Sequence, residues 1–437
     1  MRYKNFLPIT VLVILFCGCT GSKSTEKGNE SNKARNDQST PNILLIIADD
    51  LGSDAFSSYN IGKENPNMPT LENLAESGIR FNNFWAYPTC TPTRASVITG
   101  KHAFRTKVQK VGDELSTSET TIHKFIDEKS NDIYNAAVIG KWHLSKNEDH
   151  PAEVGVKHFK GLIGGGVRNY NRWKYTNNGN TTVLQNYITT HLTDLAINWI
   201  GEQKKPWFLW LAYNAPHTPF HLPPSDLHSY SDLENDELEI KKHPQPYYFS
   251  MIEALDKEIG RLLDNIPVTE KENTIIIFMG DNGSPNQVVQ TYGKRKAKGS
   301  IYQGGINVPL IITGAKVDRV NEVENALINS TDIFATIAEL AGTGVSEIHD
   351  SKSLVPLLSK KGLTHKNYIY SEASQKKQSG YTIRNSTHKY IRFTDGEEEL
   401  YDLLKDPYEK NNLANDVSLA GIKSELEQAA TNIQNSR

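Results

Sequence analysis

Five short runs of branched and aromatic residues, at 42–48, 133–139, 206–213, 274–279 and 308–313, constrain the fold of this chain more than any other feature. Each is apolar at successive positions and too short for a free-standing helix, which is the pattern of a strand buried on both faces. Helical spacing fills the intervals. Ile252, Leu255, Ile259, Leu262, Leu263 and Ile266 recur on one face of the segment 248–266, and 70–77 reads as a short helix stopped by Gly78. Strands alternating with helices give an α/β fold with a large, mixed, mostly parallel sheet flanked by helices. The pattern breaks near Pro356, after which short strands around 368–371, 381–383 and 390–393 and a closing helix predict a smaller C-terminal α+β domain. With 437 residues, 37% of them hydrophobic, the chain can bury both cores. The expected organisation is a large domain over 41–355 and a small one over 356–437.

The first forty residues are of a different kind. Arg2 and Lys4 precede an apolar run from 6 to 16 that is too short to span a bilayer permanently, so residues 1–19 read as a removable export signal. Its end, Leu15-Phe16-Cys17-Gly18-Cys19, resembles a bacterial lipoprotein signal, in which cleavage exposes a cysteine for lipidation, here Cys19; plain secretion is the alternative. Residues 20–40 are polar and lack periodicity, as a flexible tether would. The expected place is therefore the outer membrane, on its periplasmic face or at the cell surface. A net charge of −3 and a pI near 6.5 leave no basic field for nucleic acid, so any anion is held by a local site. Once the lipoprotein signal is set aside, Cys90 is the one thiol left in the body and no disulfide can form there.

Nearly every apolar run ends in residues capable of chemistry. The first runs into Asp49-Asp50, the second into Gly140-Lys141-Trp142-His143, the third into Asn214-Ala215-Pro216-His217, and the fourth into Gly280-Asp281-Asn282-Gly283. In open α/β sheets ligands bind outside the carboxyl ends of the strands, so these four clusters converge on one crevice. Asp49, Asp50, Asp281 and Asn282 form a hard oxygen set suited to Ca²⁺ or Mg²⁺. Either acidic pair alone reads more readily as a helix cap or a turn than as a metal site; their coincidence at equivalent strand ends reverses that preference. Between the first two strands lies Cys90-Thr91-Pro92-Thr93-Arg94, with Thr99-Gly100 downstream. Pro92 suits the first turn of a helix, which places Cys90 just ahead of an N-terminus that favours negative charge, with Arg94 one turn on.

These motifs together resemble the type I, formylglycine-dependent sulfatases, of arylsulfatase and alkaline-phosphatase-like fold. The resemblance runs from about Pro41 to Leu413 in the family's order, with Lys298-Gly299, Gly304-Gly305, Val308-Pro309 and the tail Glu399-Leu400-Tyr401-Asp402-Leu403 completing it. It implies that a maturation enzyme oxidises Cys90 to formylglycine (3-oxoalanine), whose hydrate attacks sulfur with one hydroxyl and expels sulfate by deprotonation of the other. It implies one cation, usually Ca²⁺, on Asp49, Asp50, Asp281, Asn282 and the modified residue 90. Arg94 and Lys141 would hold the formylglycine hydroxyls and His143 would bond the one that does not attack. His217 and Lys298 would face the sulfate and the leaving alkoxide. The implied substrates are oligosaccharides from algal or other sulfated polysaccharides, ulvan among them. Gln303 and Asn307 depart from the family, which commonly has Glu and Arg there; those positions bear on the loop and not on the metal.

Competing readings are a phosphoester or phosphonate hydrolase of the same superfamily, for which no second ligand set is visible, and an inactive lipoprotein that binds sulfated glycans. His102 and His123 have no motif behind them, while His221 can reach the cleft from the loop after His217. After Gly164-Gly165-Gly166, the stretch Arg168, Tyr170, Arg172, Trp173 and Tyr175 reads in two ways. Its aromatic faces can stack on sugars while its arginines hold uronate or sulfate, or it is a surface loop with some core aromatics.

Overall fold

A computed structural model describes residues 40–374 and 379–436. The export signal 1–19, the lipidation site Cys19 and the tether up to residue 39 lie outside the described residues.

Strand β1, Asn42–Ala48, forms where the sequence predicts it and is buried along its whole length. Ile43, Leu45 and Ile47 point into one core and Leu44, Ile46 and Ala48 into another, which is why the run is apolar without alternation. The strands that follow are β2 (Gly78–Phe81), β3 (Phe84–Trp85), β4 (Asn135–Lys141), β5 (Phe159–Leu162), β6 (Trp173–Asn177) and β7 (Asn180–Leu184). Then come β8 (Trp207–Ala212), β9 (Thr274–Gly280), β10 (Leu310–Gly314), β11 (Glu322–Glu324), β12 (Ile328–Asn329), β13 (Glu347–Ile348) and β14 (Ser351–Lys352). Ten of them make one sheet in the order β11-β2-β10-β9-β1-β8-β4-β5-β6-β7. Its centre, β9-β1-β8-β4-β5, is parallel. Antiparallel β10 and β2 extend one side, β6 and β7 the other.

The register fixes where the chemistry falls. Ala48 pairs with Gly280, Ile47 with Ala212, and Gly140 also with Ala212, so four strands end level and the residues after them leave the sheet along one edge. Helices Ile188–Gly201 and Pro244–Asp264 cover one face; Cys90–Thr99, Ile122–Lys129 and Asp332–Leu340 cover the other. Truncating a fully buried leucine such as Leu45 to Ala would cost about 2–5 kcal/mol.

The C-terminal sheet is antiparallel throughout: β15 (Ile369–Ala373), β16 (Gly380–Arg384), β17 (His388–Phe393) and β18 (Glu398–Asp402). Helix Ala420–Asn435 covers one face by setting Leu426, Ala429 and Ala430 on Ile383, Tyr390 and Leu400. From the other face Ile391, Tyr401 and Leu403 pack on Ile301 and Tyr302 of the large domain. A buried knot reinforces that contact. Lys389 Nζ donates to Glu409 Oε1 at 2.5 Å and to the Ile301 carbonyl at 2.8 Å, and Glu409 Oε2 accepts from the Gln303 backbone N–H at 2.7 Å. Gln303 itself accepts from Trp85 Nε1 at 2.9 Å, and Asn307 Nδ2 donates to the Asn82 carbonyl at 3.1 Å, so the two departures from the family pattern serve packing.

Candidate active site

Asp49 and Asp50 follow β1, Lys141 closes β4 with His143 two residues on, Asn214 to His217 follow β8, and Asp281-Asn282 follow β9. The level strand ends therefore bring all the sequence-predicted residues of these runs to one place. Cys90 is the first residue of its helix, one position further in than predicted, with Thr89 as the preceding extended residue. It still meets the free N–H end of that helix. Asp49, Asp50, Cys90, Arg94, Lys141, Asp281 and Asn282 are all essentially buried. His143, His217 and Lys298 are partly open, Lys298 with 22% of its side chain exposed.

Three carboxylates meet three cations here. Lys141 Nζ lies against Asp49 Oδ2, and Lys298 Nζ is 2.5 Å from Asp50 Oδ1. Arg94 holds Asp281 Oδ2 with Nη2 at 2.8 Å and Nε at 3.2 Å, while its Nη1 donates to the Lys141 carbonyl at 2.8 Å. Thus Arg94 orients an acid of the cluster and ties two strand ends together. Burial alone would raise the Asp49 carboxyl, but Lys141, with His217, Arg94 and Lys298 behind it, holds it well below the usual carboxylate range. Asp281 moves the other way, raised by burial and by the Asp49 charge against the pull of Arg94. Burial would lower Lys298, yet the Asp50 charge raises it, so it stays an ammonium at neutral pH. Burial raises the Cys90 thiol and pushes His143 down to about 2.

Two buried acceptors are left over. Asp49 Oδ1 and Asn282 Oδ1 have no hydrogen-bond partner, although the Asn282 amide donates to Asp50 Oδ1 at 2.8 Å. Such orphans are rare and costly unless something else takes them. Ligand atoms of Asp49, Cys90 and Asp281 lie within 4.8 Å of one another, and so do those of Asp49, Asp50 and His217. The oxygen-rich donor set and the two unpartnered acceptors fit a hard dication.

The histidines differ in what they face. His143 Nδ1 is 3.2 Å from Cys90 Sγ, with Thr91 Oγ1 at 3.4 Å. His217 points Nε2 to within 3.8 Å of Asp50 Oδ2 and bonds the Thr218 carbonyl through Nδ1 at 2.6 Å. His221 does not reach the cluster: its ring lies tilted against Tyr170, centroids 4.1 Å apart, and meets the Tyr187 hydroxyl at 3.2 Å. Asp50 and His143 both have left-handed backbones, φ 69° and 58°, a conformation that costs a non-glycine residue about 1 kcal/mol or more.

Other residues hold the site in ways their sequence context does not announce, although Gly165 and Tyr170 stand in the stretch singled out above. Tyr248, from helix Pro244–Asp264, donates to the Asp50 carbonyl at 2.8 Å. Tyr170 lies buried with its hydroxyl 2.8 Å from the Asn214 carbonyl and 2.5 Å from that of His217, fixing the loop after β8. Gly165 roofs His143 so closely that a Cβ there would sit 2.2 Å from Nε2. The stretch beginning at 168 divides: Tyr170 and Trp173 are buried, whereas Arg168 and Arg172 are exposed.

This constellation has relatives. A family model described as Sulfatase matches residues 41–343. The chain belongs to the sulfatase family. A second model, N-sulphoglucosamine sulphohydrolase, C-terminal, matches 292–436. The sulfatase is 26% identical to the uncharacterized sulfatase YdeN of Escherichia coli K12, over 80% of this chain and 72% of that one. It is 25% identical to an ulvan-active sulfatase of Formosa agariphila, over 95% and 85%. Among solved structures it superimposes on Ps i-CgsB in complex with k-i-k-neocarrahexaose with a TM-score of 0.78 and 26% identity, covering 90% of this chain and 92% of that one. Sheet, helices and small C-terminal domain are therefore those of a sulfatase-type hydrolase.

Proposed function

We propose that this sulfatase hydrolyses sulfate monoesters on sugars derived from sulfated polysaccharides, with Cys90 matured to formylglycine and one Ca²⁺, or Mg²⁺ in its place, on Asp49, Asp50, Asp281 and Asn282. The observation that carries this reading is the buried cluster itself, with Cys90 among carboxylates and with one carboxylate oxygen, of Asp49, and one amide oxygen, of Asn282, left unpartnered. The polysaccharide class is supported by the ulvan-active relative and by the neocarrahexaose complex of a structural neighbour.

When bound, the cation would supply positive charge to offset that of the sulfate oxygens. Formylglycine, in its hydrated form, would supply one hydroxyl to attack sulfur and a second to release the sulfate. Cys90 Sγ stands for an oxygen on the same Cβ. His143, kept neutral by burial, is placed to take the proton of that group through Nδ1. Arg94 and Lys141 keep Asp281 and Asp49 ionised and in place. Lys298, charged and partly open, can steady the developing charge on the leaving oxygen. With Nδ1 donating to the Thr218 carbonyl, His217 keeps Nε2 free to carry a proton to that oxygen.

Changing the alcohol tests these roles. A phenolate leaves unaided, whereas a sugar alkoxide needs a proton in the transition state. His217→Ala and Lys298→Ala are expected to harm sugar sulfate turnover far more than aryl sulfate turnover, and His143→Ala to harm both. Equal losses on the two substrates in both leaving-group variants would refute that assignment. The mass of the Cys90 peptide from the native organism tests maturation: an unmodified thiol there would count against it. Export as a lipoprotein through Cys19 belongs to the same proposal, and labelled fatty acid should enter the wild-type chain but not Cys19→Ala.

A further inference from the structure

Beside the glycine roof lies a cavity of about 660 Å³, of a size that suits one or two sugar units. Gly166 joins it to the active site: the residue lines the cavity, and a Cβ on it would lie 3.2 Å from Cε1 of His217. Lys146, Arg168, Arg172 and Lys174 surround the space, against the single carboxylate of Glu148, and Val167 and Val183 form part of an apolar wall. All four cations are exposed. Among the described residues, none of their side chains makes an ion pair or a hydrogen bond, whereas Lys141, Lys298 and Arg94 next door are all paired. A chain of net charge −3 that gathers four unpaired cations against one carboxylate around one opening creates a local field for anions that its composition lacks. By contrast, a larger cavity of about 1040 Å³ along helix Pro244–Asp264 is lined by Asp194, Glu253, Asp256 and Glu258 and would repel a polyanion.

We propose that this cavity is a subsite for a second anionic group, a sulfate or carboxylate on the sugar next to the one being desulfated. The inference rests on the sulfatase reading above and narrows it to polyanionic chains. Arg168 and Arg172 offer planar, paired donors to such a group, Lys146 and Lys174 add charge, and the apolar wall takes the face of the sugar ring.

The test is binding to the full-length Cys90→Ala chain, in which turnover is blocked, with sucrose octasulfate and glucose 6-sulfate as probes. Removing both arginines, as Arg168→Ala/Arg172→Ala, should weaken the octasulfate by about tenfold or more and glucose 6-sulfate by much less, with the octasulfate loss shrinking as salt rises. Lys271→Ala, on the helix Val268–Glu272 that leads into the opposite end of β9, serves as the control for diffuse attraction. Equal octasulfate losses from the arginine pair and from Lys271 would overturn the subsite, as would no loss from the arginine pair. Both arginines are exposed and unbonded, so the variants should keep the wild-type melting temperature; Arg168→Gln/Arg172→Gln repeats the test with the side-chain length preserved. Aryl sulfate turnover by the matured wild type is measured separately. A chain that hydrolyses it but binds octasulfate regardless of the arginines loses only the subsite, and one that binds through them without hydrolysing any sulfate ester loses only the enzymatic reading.

Discussion

Two buried charge clusters in this molecule look alike and are built to opposite ends. In the knot between the C-terminal sheet and the large domain, Lys389 and Glu409 are both fully buried and neither carboxylate oxygen is left over: one accepts from the ammonium and the other from a backbone N–H, and the ammonium also donates to a carbonyl. At the strand ends, three acids, Arg94 and Lys141 are just as deeply placed and Lys298 is partly open, yet Asp49 Oδ1 and Asn282 Oδ1 are left without partners and two backbones are held left-handed. A structural ion pair satisfies itself. A site keeps unsatisfied lone pairs for something that arrives later, and the folded state carries that cost until it does.

The largest expected effect separates the two clusters by what each variant loses. Cys90→Ala should cut aryl sulfate turnover by at least about 10³-fold while moving unfolding free energy by no more than about 1 kcal/mol. Wild-type turnover in that variant would remove the nucleophile from the mechanism. Next, Lys389→Met should cost about 3–5 kcal/mol of stability, because it strands Glu409 in the interior. Pairing it with Glu409→Leu should return part of the loss; if urea midpoints show the double variant no better than the single, the knot is not a closed pair. Third, chelating divalent cations should lower the melting temperature of the wild type by an amount equivalent to about 2–3 kcal/mol for a site held at a hundred times its dissociation constant, and should do so far less in Asp49→Asn. A wild-type melting curve indifferent to verified metal loss would place the site among the self-satisfied clusters.

The smallest effect concerns groups that burial keeps neutral. His123, beneath the sheet against Phe208, makes no hydrogen bond of ordinary geometry, and burial pushes it down to about 4 against the pull of the nearby Ala137 backbone. Its unfolded form binds a proton near pH 6.5, so the unfolded chain holds more protons below that pH. The contribution of the neutral ring to stability is complete above about pH 6.5 and is lost as the pH falls towards about 4. Between pH 7 and 4.5, His123→Phe should lose about 1–2 kcal/mol less than the wild type in urea unfolding. Identical losses would mean that the ring finds a proton acceptor on titration.

The central strands and their loaded ends were legible because a strand covered on both faces must be apolar throughout, and because a polar cluster that follows such a run can only emerge at the sheet's edge. The run predicted at 133–139 slipped two residues to Asn135–Lys141, since its first two residues belong to the turn and Lys141, although charged, continues the strand. Strands such as Asn180–Leu184 and Glu322–Glu324 were not read: they lie at the sheet margins, exposed or half-exposed, and so carry little apolar signal. The pairing of Arg94 with Asp281 spans 187 residues, and nothing local to either announces it. Tyr170 and Tyr248 look like ordinary core aromatics until their hydroxyls are seen to bond the backbone of the site. Trp173 proved to be core, which leaves the arginines of that stretch, without its most prominent ring on the surface, to meet a ligand.

Cys90 is only 2% exposed once the protein is folded. Along the chain it is nevertheless among the earliest of the site residues, with Asp281 following 191 positions later and the knot residue Glu409 following 319 positions later. At a synthesis rate of about 5–20 residues per second, roughly 15–60 s separate the appearance of the cysteine from that of the last residue needed to lock the loop of Lys298 over it. Under the proposed maturation, the enzyme that oxidises Cys90 would read the unfolded chain in the interval before its target disappears, and would need a recognition motif contained in consecutive residues. Under the same proposal, a variant that folded this domain faster would shorten that interval and leave fewer active molecules.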